Sequence, residues 1–278
     1  RGYRVDALSR SQAGAERLRE LGANPVVAQA TDPSSLAEHF ENADIVVSAL
    51  GITRQRDGLT YEDVDYRANM NLLRAAEQAG VRQFVYVSAF EGEALAHTAL
   101  LSAKEKFVRE LKDSPIEGLV VRPTGFFSDM EQFTMMARRG RVWVFGQGDQ
   151  LLNPISGEDL AEAIADAIDD PRHGNAEGIR EDELPIGGPE VFTMRQIANL
   201  AFEAVDGTPR ITSIPMWVVG LAERVLPRVT PLSFYGPIQM FLAASHLSMV
   251  APIYGSRRLA DHYGQVAAES SDSTARLA

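Results

Sequence analysis

The amino-acid sequence predicts an α/β fold, a doubly wound parallel sheet with a small C-terminal lobe. Short apolar segments alternate with amphipathic ones from Tyr3 to Pro123, at the spacing of right-handed βαβ units. Two of the apolar segments, Asp44–Leu50 and Phe84–Ser88, are nearly continuous, as in parallel strands covered on both faces. Beyond Pro123 the alternation loosens, and there the lobe is expected to begin.

Tyr3–Ser9 alternates apolar and polar residues like a short strand. Arg10–Gly22 reads as a helix with Leu18 and Leu21 on one face and Gly22 as its stop. Pro25–Ala28 is the next strand, and Asp32 followed by Pro33 is a cap that opens a helix to about Glu41. Asp44–Leu50 is a strand, Glu62–Ala79 a long amphipathic helix ending at Gly80, and Phe84–Ser88 a strand. Ala94–Lys112 is helical, and Leu119–Arg122 is a strand stopped by Pro123. In the lobe Met130–Arg139 and Gly157–Asp169 are helices, Arg141–Phe145 is a strand, and Pro185–Pro189 is a strand ending in a turn. Thr193 caps a helix running to Val205, and Trp217–Val225 follows as another. Residues after Val266 are poor in apolar bulk and read as a disordered tail, so the folded unit is expected over residues 1–266, with 267–278 outside it.

Composition narrows the function classes. The formal net charge of −11 argues against nucleic acid as a partner, and an acidic surface means that any phosphorylated ligand needs local donors. With no cysteine there is no disulfide, thiolate metal site or cysteine nucleophile. Arg1–Arg10 holds no apolar run of a secretory leader, and a cytoplasmic protein is expected. The five histidines (His39, His97, His173, His246, His262) lack metal-ligand spacing, so no metal is expected. The apolar stretch Leu232–Val250 is interrupted by Pro231 and Pro237 and is too short to span a bilayer; it is read as a core or dimer helix, with peripheral membrane contact as the alternative.

A dinucleotide-binding sheet of the Rossmann type begins with a strand, a glycine-rich turn and a helix whose N-terminus holds the pyrophosphate. No G-x-G-x-x-G or G-x-x-G-x-x-G occurs in this chain, and Gly2–Arg10 has the form of the second strand of such a fold. The pattern therefore opens one strand and one helix into the fold, a piece of roughly 20–25 residues on typical element lengths. A sheet without that central strand would leave apolar strand edges unpaired.

Several residues suit chemistry at the carboxyl ends of the strands. Arg10 directly follows the second strand of that scheme, where an acidic residue would bind a ribose 2′-hydroxyl; an arginine pairs instead with a 2′-phosphate and favours NADP(H), with NAD(H) possible. Ala49, Leu50 and Gly51 close a strand with side chains small enough for a ligand to approach the backbone. Asp65 and Asn69 place polar groups on an apolar helix face; Asn69 is counted among the cofactor-binding candidates, the alternative being a buried amide that bonds neighbouring strand ends. Ser88 ends a strand and Lys104 lies on the next helix, a pair suited to holding a nicotinamide ribose and polarising a carbonyl. The proton-donating tyrosine expected four residues before the lysine is replaced by Leu100.

With Gly2–Arg10, Val64–Leu73, Phe84–Ser88, Ala103-Lys104, Val121–Phe127 and Asn153–Leu160 together, the chain resembles an atypical short-chain dehydrogenase/reductase of the NmrA-like, NAD(P)-binding group, from Arg1 to about Tyr263. The resemblance implies a dinucleotide across the strand ends. Arg10 would lie at the adenosine phosphate, Ala49–Gly51 along the dinucleotide, and Ser88, Lys104, Pro123, Thr124, Gly125 and Phe126 around the nicotinamide. The lobe would form the pocket for a small-molecule substrate. The group includes reductases and proteins that bind the dinucleotide without turnover. The leading expectation is an oxidoreductase acting on a carbonyl, quinone or activated alkene, with Ser88 and Lys104 as the polarising pair. The alternatives are a non-catalytic sensor or assembly factor and a membrane-associated accessory protein.

Overall fold

The computed structural model describes residues 2–52, 58–169 and 182–275. Its strands are β1 (Asp6–Ser9), β2 (Asn24–Val27), β3 (Ile45–Ser48), β4 (Gln83–Val87), β5 (Glu117–Pro123), β6 (Val142–Phe145), β7 (Leu151–Leu152), β8 (Glu183–Ile186), β9 (Phe192–Thr193) and β10 (Ile211–Ile214). The helices are α1 (Gln12–Glu20), α2 (Asn69–Ala79), α3 (Ala99–Asp113), α4 (Phe127–Arg138), α5 (Gly157–Asp169), α6 (Met194–Ala204), α7 (Met216–Val229), α8 (Leu232–Ala244) and α9 (Leu259–Ala275).

The main sheet is parallel, in the order β3-β4-β5-β8. Its middle is buried on both sides because alternate side chains of β4 serve different layers. Phe84 and Tyr86 pack with Leu72, Leu73, Phe107 and Leu111 of α2 and α3, while Val85 and Val87 pack with Leu160, Ala163 and Ile164 of α5. Helices on both faces make the domain doubly wound, as expected.

β1 and β2 form a separate parallel pair, joined by α1. This unit leans on α2 through Ala28, Leu36 and Phe40. Among the described residues β3 pairs only with β4, and Val47 is 51% exposed on it.

Several elements differ from their sequence reading; the helix expected from Ala94, for one, starts at Ala99. The helix expected from Pro33 to Glu41 is two 3-10 turns, Pro33–Ser35 and Ala37–His39. Asp32 accepts from both the N–H and the hydroxyl of Ser34, and Ser35 bonds the carbonyls of Gln29 and Asp32, so local side-chain bonds displace the helical ones. The helix expected over 62–79 starts as a π-helical segment, Glu62–Ala68, before becoming α2, which stops at Gly80 in the left-handed conformation (φ +72°).

The lobe packs α4, α6 and α9 around Phe133, Ile197, Ala201, Phe202 and Tyr263, with β6 pairing β10 and β7 pairing β9. Asn153 ties it to the sheet: its side chain bonds both the N–H and the carbonyl of Ala251, and the Gly188 carbonyl. Helix α8 continues through Pro237, which the sequence marks as an interruption, at the cost of one backbone donor. Helix α9 extends past Val266 to Ala275, into the segment read as a tail. No helix among the described residues is long and apolar enough to cross a membrane.

Candidate functional site

The carboxyl ends of β3, β4 and β5 lie side by side, because parallel pairing sets Ser48 against Tyr86 and Val87 against Val121. Such strand ends form the crevice in which open α/β sheets bind ligands. Here the crevice has an exposed rim over a buried ionic floor.

The rim is Ala49–Gly51, held from below by the π-helical segment. Ser48 Oγ donates to Asn69 Oδ1 (2.6 Å), and Asn69 Nδ2 donates to the carbonyls of Leu50 (3.2 Å), Val64 (3.2 Å) and Asp65 (3.1 Å). Asn69 is fully buried, and every partner named is protein, so it stitches the strand end to the helix. Asp65 Oδ2 accepts from the Ile52 N–H (3.3 Å). Gly51 is closely approached: a Cβ there would lie 2.6 Å from Asp65 Oδ1 and 3.1 Å from Lys104 Nζ, so those side-chain ends would have to shift.

Lys104 is the centre of the floor. Its ammonium stands 3.4 Å from Asp65 Oδ1, and donates to Tyr86 Oη (3.4 Å) and the Val87 carbonyl (3.4 Å). All three contacts are long, so the charge is held without being fully engaged. Asp65 is inaccessible to solvent, and its Oδ1 has no hydrogen bond, only the Lys104 ion pair. Burial raises the Asp65 carboxyl above the ordinary aspartate range, against the opposing pull of Lys104. Burial, with Asp65 and Glu105 nearby, pushes the Tyr86 phenol well above its usual value. Tyr61, at the start of the π-helical segment, is pushed up to about 12 by burial and by Asp65.

Beside Lys104, a second ionic group runs under β4 and β5. Ser88 Oγ donates to Glu105 Oε1 (3.0 Å), and Arg122 grips Glu105 with two parallel bonds (2.7 and 3.0 Å). Arg122 Nε also donates to Glu183 (2.8 Å), which pairs with Lys112. Burial by itself would lower the Arg122 value and raise that of Glu183; their mutual hydrogen bonds, with Glu105 and Lys112, leave Arg122 raised and Glu183 lowered.

Of the residues singled out from sequence, Gly51, Asn69 and Lys104 meet around Asp65, and Ser88 sits one residue past β4 with its hydroxyl turned to Glu105. Pro123, Thr124, Gly125 and Phe126 continue from β5 into α4 and are pinned to the lobe, with Thr124 Oγ1 donating to the Asn153 carbonyl (2.7 Å) and Ile155 N–H to the Gly125 carbonyl (2.9 Å). Arg10 is exposed after β1, on the other sheet. Tyr86, Glu105 and Arg122 were not anticipated. The one legible signal was a carboxylate, Glu105, on the apolar face that α3 forms with Leu101 and Val108. A cleft of about 280 Å³ lined by Thr98, Ser102, Pro227, Leu232, Tyr235 and Gln239 touches none of the strand-end residues. His173 lies outside the described residues, and no metal-holding group of three acidic or histidine side chains occurs among those described.

A family model described as NAD(P)H-binding matches residues 1–171. Divinyl chlorophyllide a 8-vinyl-reductase of Zea mays is 30% identical over 92% of this chain and 68% of its own. Photosystem II assembly factor Ycf39 of Synechocystis is 24% identical over 78% of this chain and 65% of its own. The NADPH-dependent quinone oxidoreductase QOR2 of Escherichia coli shares the fold, with a TM-score of 0.68 at 16% identity over 94% of this chain and 89% of that one. The exposed rim and the close-packed Gly51 suit a dinucleotide laid along the strand ends, and the chain belongs to the NAD(P)H-binding family, in the atypical, NmrA-like group of short-chain dehydrogenases/reductases that its sequence resembles.

Proposed function

We propose that the protein is an NADPH-dependent reductase of a conjugated, electron-poor double bond, with the dinucleotide lying over Ala49–Gly51. The single observation that carries this reading is Lys104: a largely buried ammonium (side chain 14% exposed), loosely held, at the strand ends beside the rim. When bound, the dinucleotide supplies a hydride. Lys104 then sets a positive charge beside the electron-rich product side of the acceptor, where a low-dielectric setting strengthens it. Reduction of an alkene adds the hydride to one carbon and a proton to its neighbour; with Leu100 in place of the phenol, that proton is drawn from solvent at the exposed rim, while the Lys104 ammonium holds the charge that builds on the acceptor. The maize relative is named for the reduction of a vinyl group, which supports this choice over a simple carbonyl. Arg10 is assigned to the 2′-phosphate, which gives the preference for NADPH over NADH.

A second reading has its own support. Ser88 Oγ is committed to Glu105 and Tyr86 is inaccessible, so neither hydroxyl faces the rim as a free donor. That arrangement suits a protein that binds the dinucleotide without turning it over, as an assembly factor would. Calorimetric titration of the intact protein with NADPH and NADH, followed by single-turnover oxidation of bound NADPH with vinyl-substituted tetrapyrroles and quinones, separates the two. Oxidation by a vinyl acceptor supports the reductase; tight NADPH binding with no acceptor oxidising it supports the factor. Absence of dinucleotide binding overturns both.

A further inference from the structure

The lobe carries a surface that the strand-end site does not use. Helix α7 buries one face against α8 through Val219, Ala222 and Leu226, and Glu223 turns to His246 (3.4 Å). At 3.6 residues per turn the opposite face is Trp217, Leu221, Arg224, Val225 and Arg228. Trp217 is 72% exposed and Leu221 53%. The apolar row continues through Val229 and round the Pro231 corner to Phe234, also exposed. A contiguous exposed patch of this kind marks an interaction surface.

Its charge says what it meets. The chain as a whole has a net charge of −11, yet no Asp or Glu occurs between Glu223 and Asp261, and the charges on the exposed face are Arg224 and Arg228. An anionic surface therefore repels the rest of the molecule and attracts this face, which sets the orientation of approach. The two arginines alternate with the apolar residues along one side of the helix. Arg224 and Arg228 share the exposed face with Trp217 and Leu221, so on a bilayer the aromatic and aliphatic side chains can enter the acyl boundary while the long arginine stems carry their guanidinium groups out to the phosphate level.

We propose that α7 and the first turn of α8 seat the protein on a membrane surface containing anionic lipid. The apolar stretch that stands out in the sequence, Leu232–Val250, is not the contact as a whole. Tyr235, Gly236, Leu242 and Ala243 are buried, so α8 mainly supports α7 from behind. The inference does not rest on the reductase reading, because none of these residues belongs to the strand-end site.

The test is flotation of the purified protein with phosphatidylcholine vesicles, with and without phosphatidylglycerol. Trp143→Phe leaves Trp217 as the one tryptophan and makes it a reporter. The protein is expected to float with the anionic vesicles, less as salt rises, and Trp217 emission to shift to the blue and be quenched by brominated acyl chains. Trp217→Ser with Leu221→Ser should lower partitioning by about tenfold or more. Arg224→Gln with Arg228→Gln should lower it about fivefold for each arginine, on anionic vesicles alone. NADPH binding and the thermal midpoint should be unchanged, because all four side chains are exposed. No flotation with anionic vesicles, or flotation that both pairs of substitutions leave intact, overturns the proposal. So does self-association that the substitutions abolish without any vesicle binding, which would assign the face to a second copy.

Discussion

Replacing Glu105 by glutamine tests whether the ionic group beneath β4 and β5 holds the strand ends in place. Glu105 is 2% exposed and Arg122 5%, and two hydrogen bonds join them at 2.7 and 3.0 Å. At 2.7 Å and an effective dielectric of about 20, the gross attraction is ~6 kcal/mol, much of it offset by desolvation of both charges. Removing one member of a buried pair costs about 3–5 kcal/mol because the other charge is stranded. Here Glu183 still faces Arg122 at 2.8 Å, and the amide keeps one acceptor for Ser88, which places the expected loss at about 3 kcal/mol. Urea unfolding of the two proteins measures it directly, as a lower midpoint with unchanged slope. Replacing Glu105 by leucine together with Arg122 by methionine should cost less than the sum of the single changes, since no guanidinium is then stranded. A loss below about 1 kcal/mol for Glu105→Gln, or strict additivity in the cycle, would refute the reasoning.

Other perturbations probe the neighbouring residues. Glu183 has a lowered folded value, so its stabilisation is present above the ordinary glutamate range and is lost as pH falls through the lowered value; Glu183→Gln should flatten that acid limb in unfolding measured against pH. Asp65 has the opposite sign: its folded value is raised, so the stability difference between wild type and Asp65→Asn should fall as pH rises above about 4, and a difference that grows with pH would contradict the burial argument. Gly51→Ala places a methyl 2.6 Å from Asp65 Oδ1 and should cost about 1–3 kcal/mol in unfolding while weakening dinucleotide binding by calorimetry. Arg10→Ala should weaken NADPH and leave NADH within twofold or so, since only a 2′-phosphate contact is removed; equal weakening of both would unseat the assignment.

Much of the strand-end site was legible, and for a simple reason. Ser88 and Gly51 stand at or just past strand ends, and two of the nearby boundaries are marked by local residues, Gly80 stopping α2 and Pro123 closing β5; the helix that carries Lys104, expected from Ala94, starts only at Ala99, where Thr98 caps it. Asn69 announced itself as a polar group on an apolar face, and its bonds to Leu50, Val64 and Asp65 are the stitching role that a buried amide demands. The 33–41 segment was misread because Asp32-Pro33 opens a 3-10 turn as readily as a helix, and the serines that decide between them act through bonds to Gln29 and Asp32. The π-helical widening at 62–68 leaves no mark in an apolar period that suits an ordinary helix equally well.

What the sequence by itself determined is the alternation of strands and helices, the parallel sense of the sheet, and the list of small and charged residues at its carboxyl edge. Periodicity, caps and stops are short-range properties, set within a few residues along the chain. Only the tertiary structure decided that Lys104 faces Asp65 and Tyr86, that Glu105 and Arg122 are paired across 17 residues and Arg122 and Glu183 across 61, and that the outward side of α7 carries the exposed row. Those outcomes turn on which element covers which face. A charge on an apolar face carries no record of its partner until the sheet brings the two together, and an apolar row reads the same in sequence whether another helix covers it or leaves it bare.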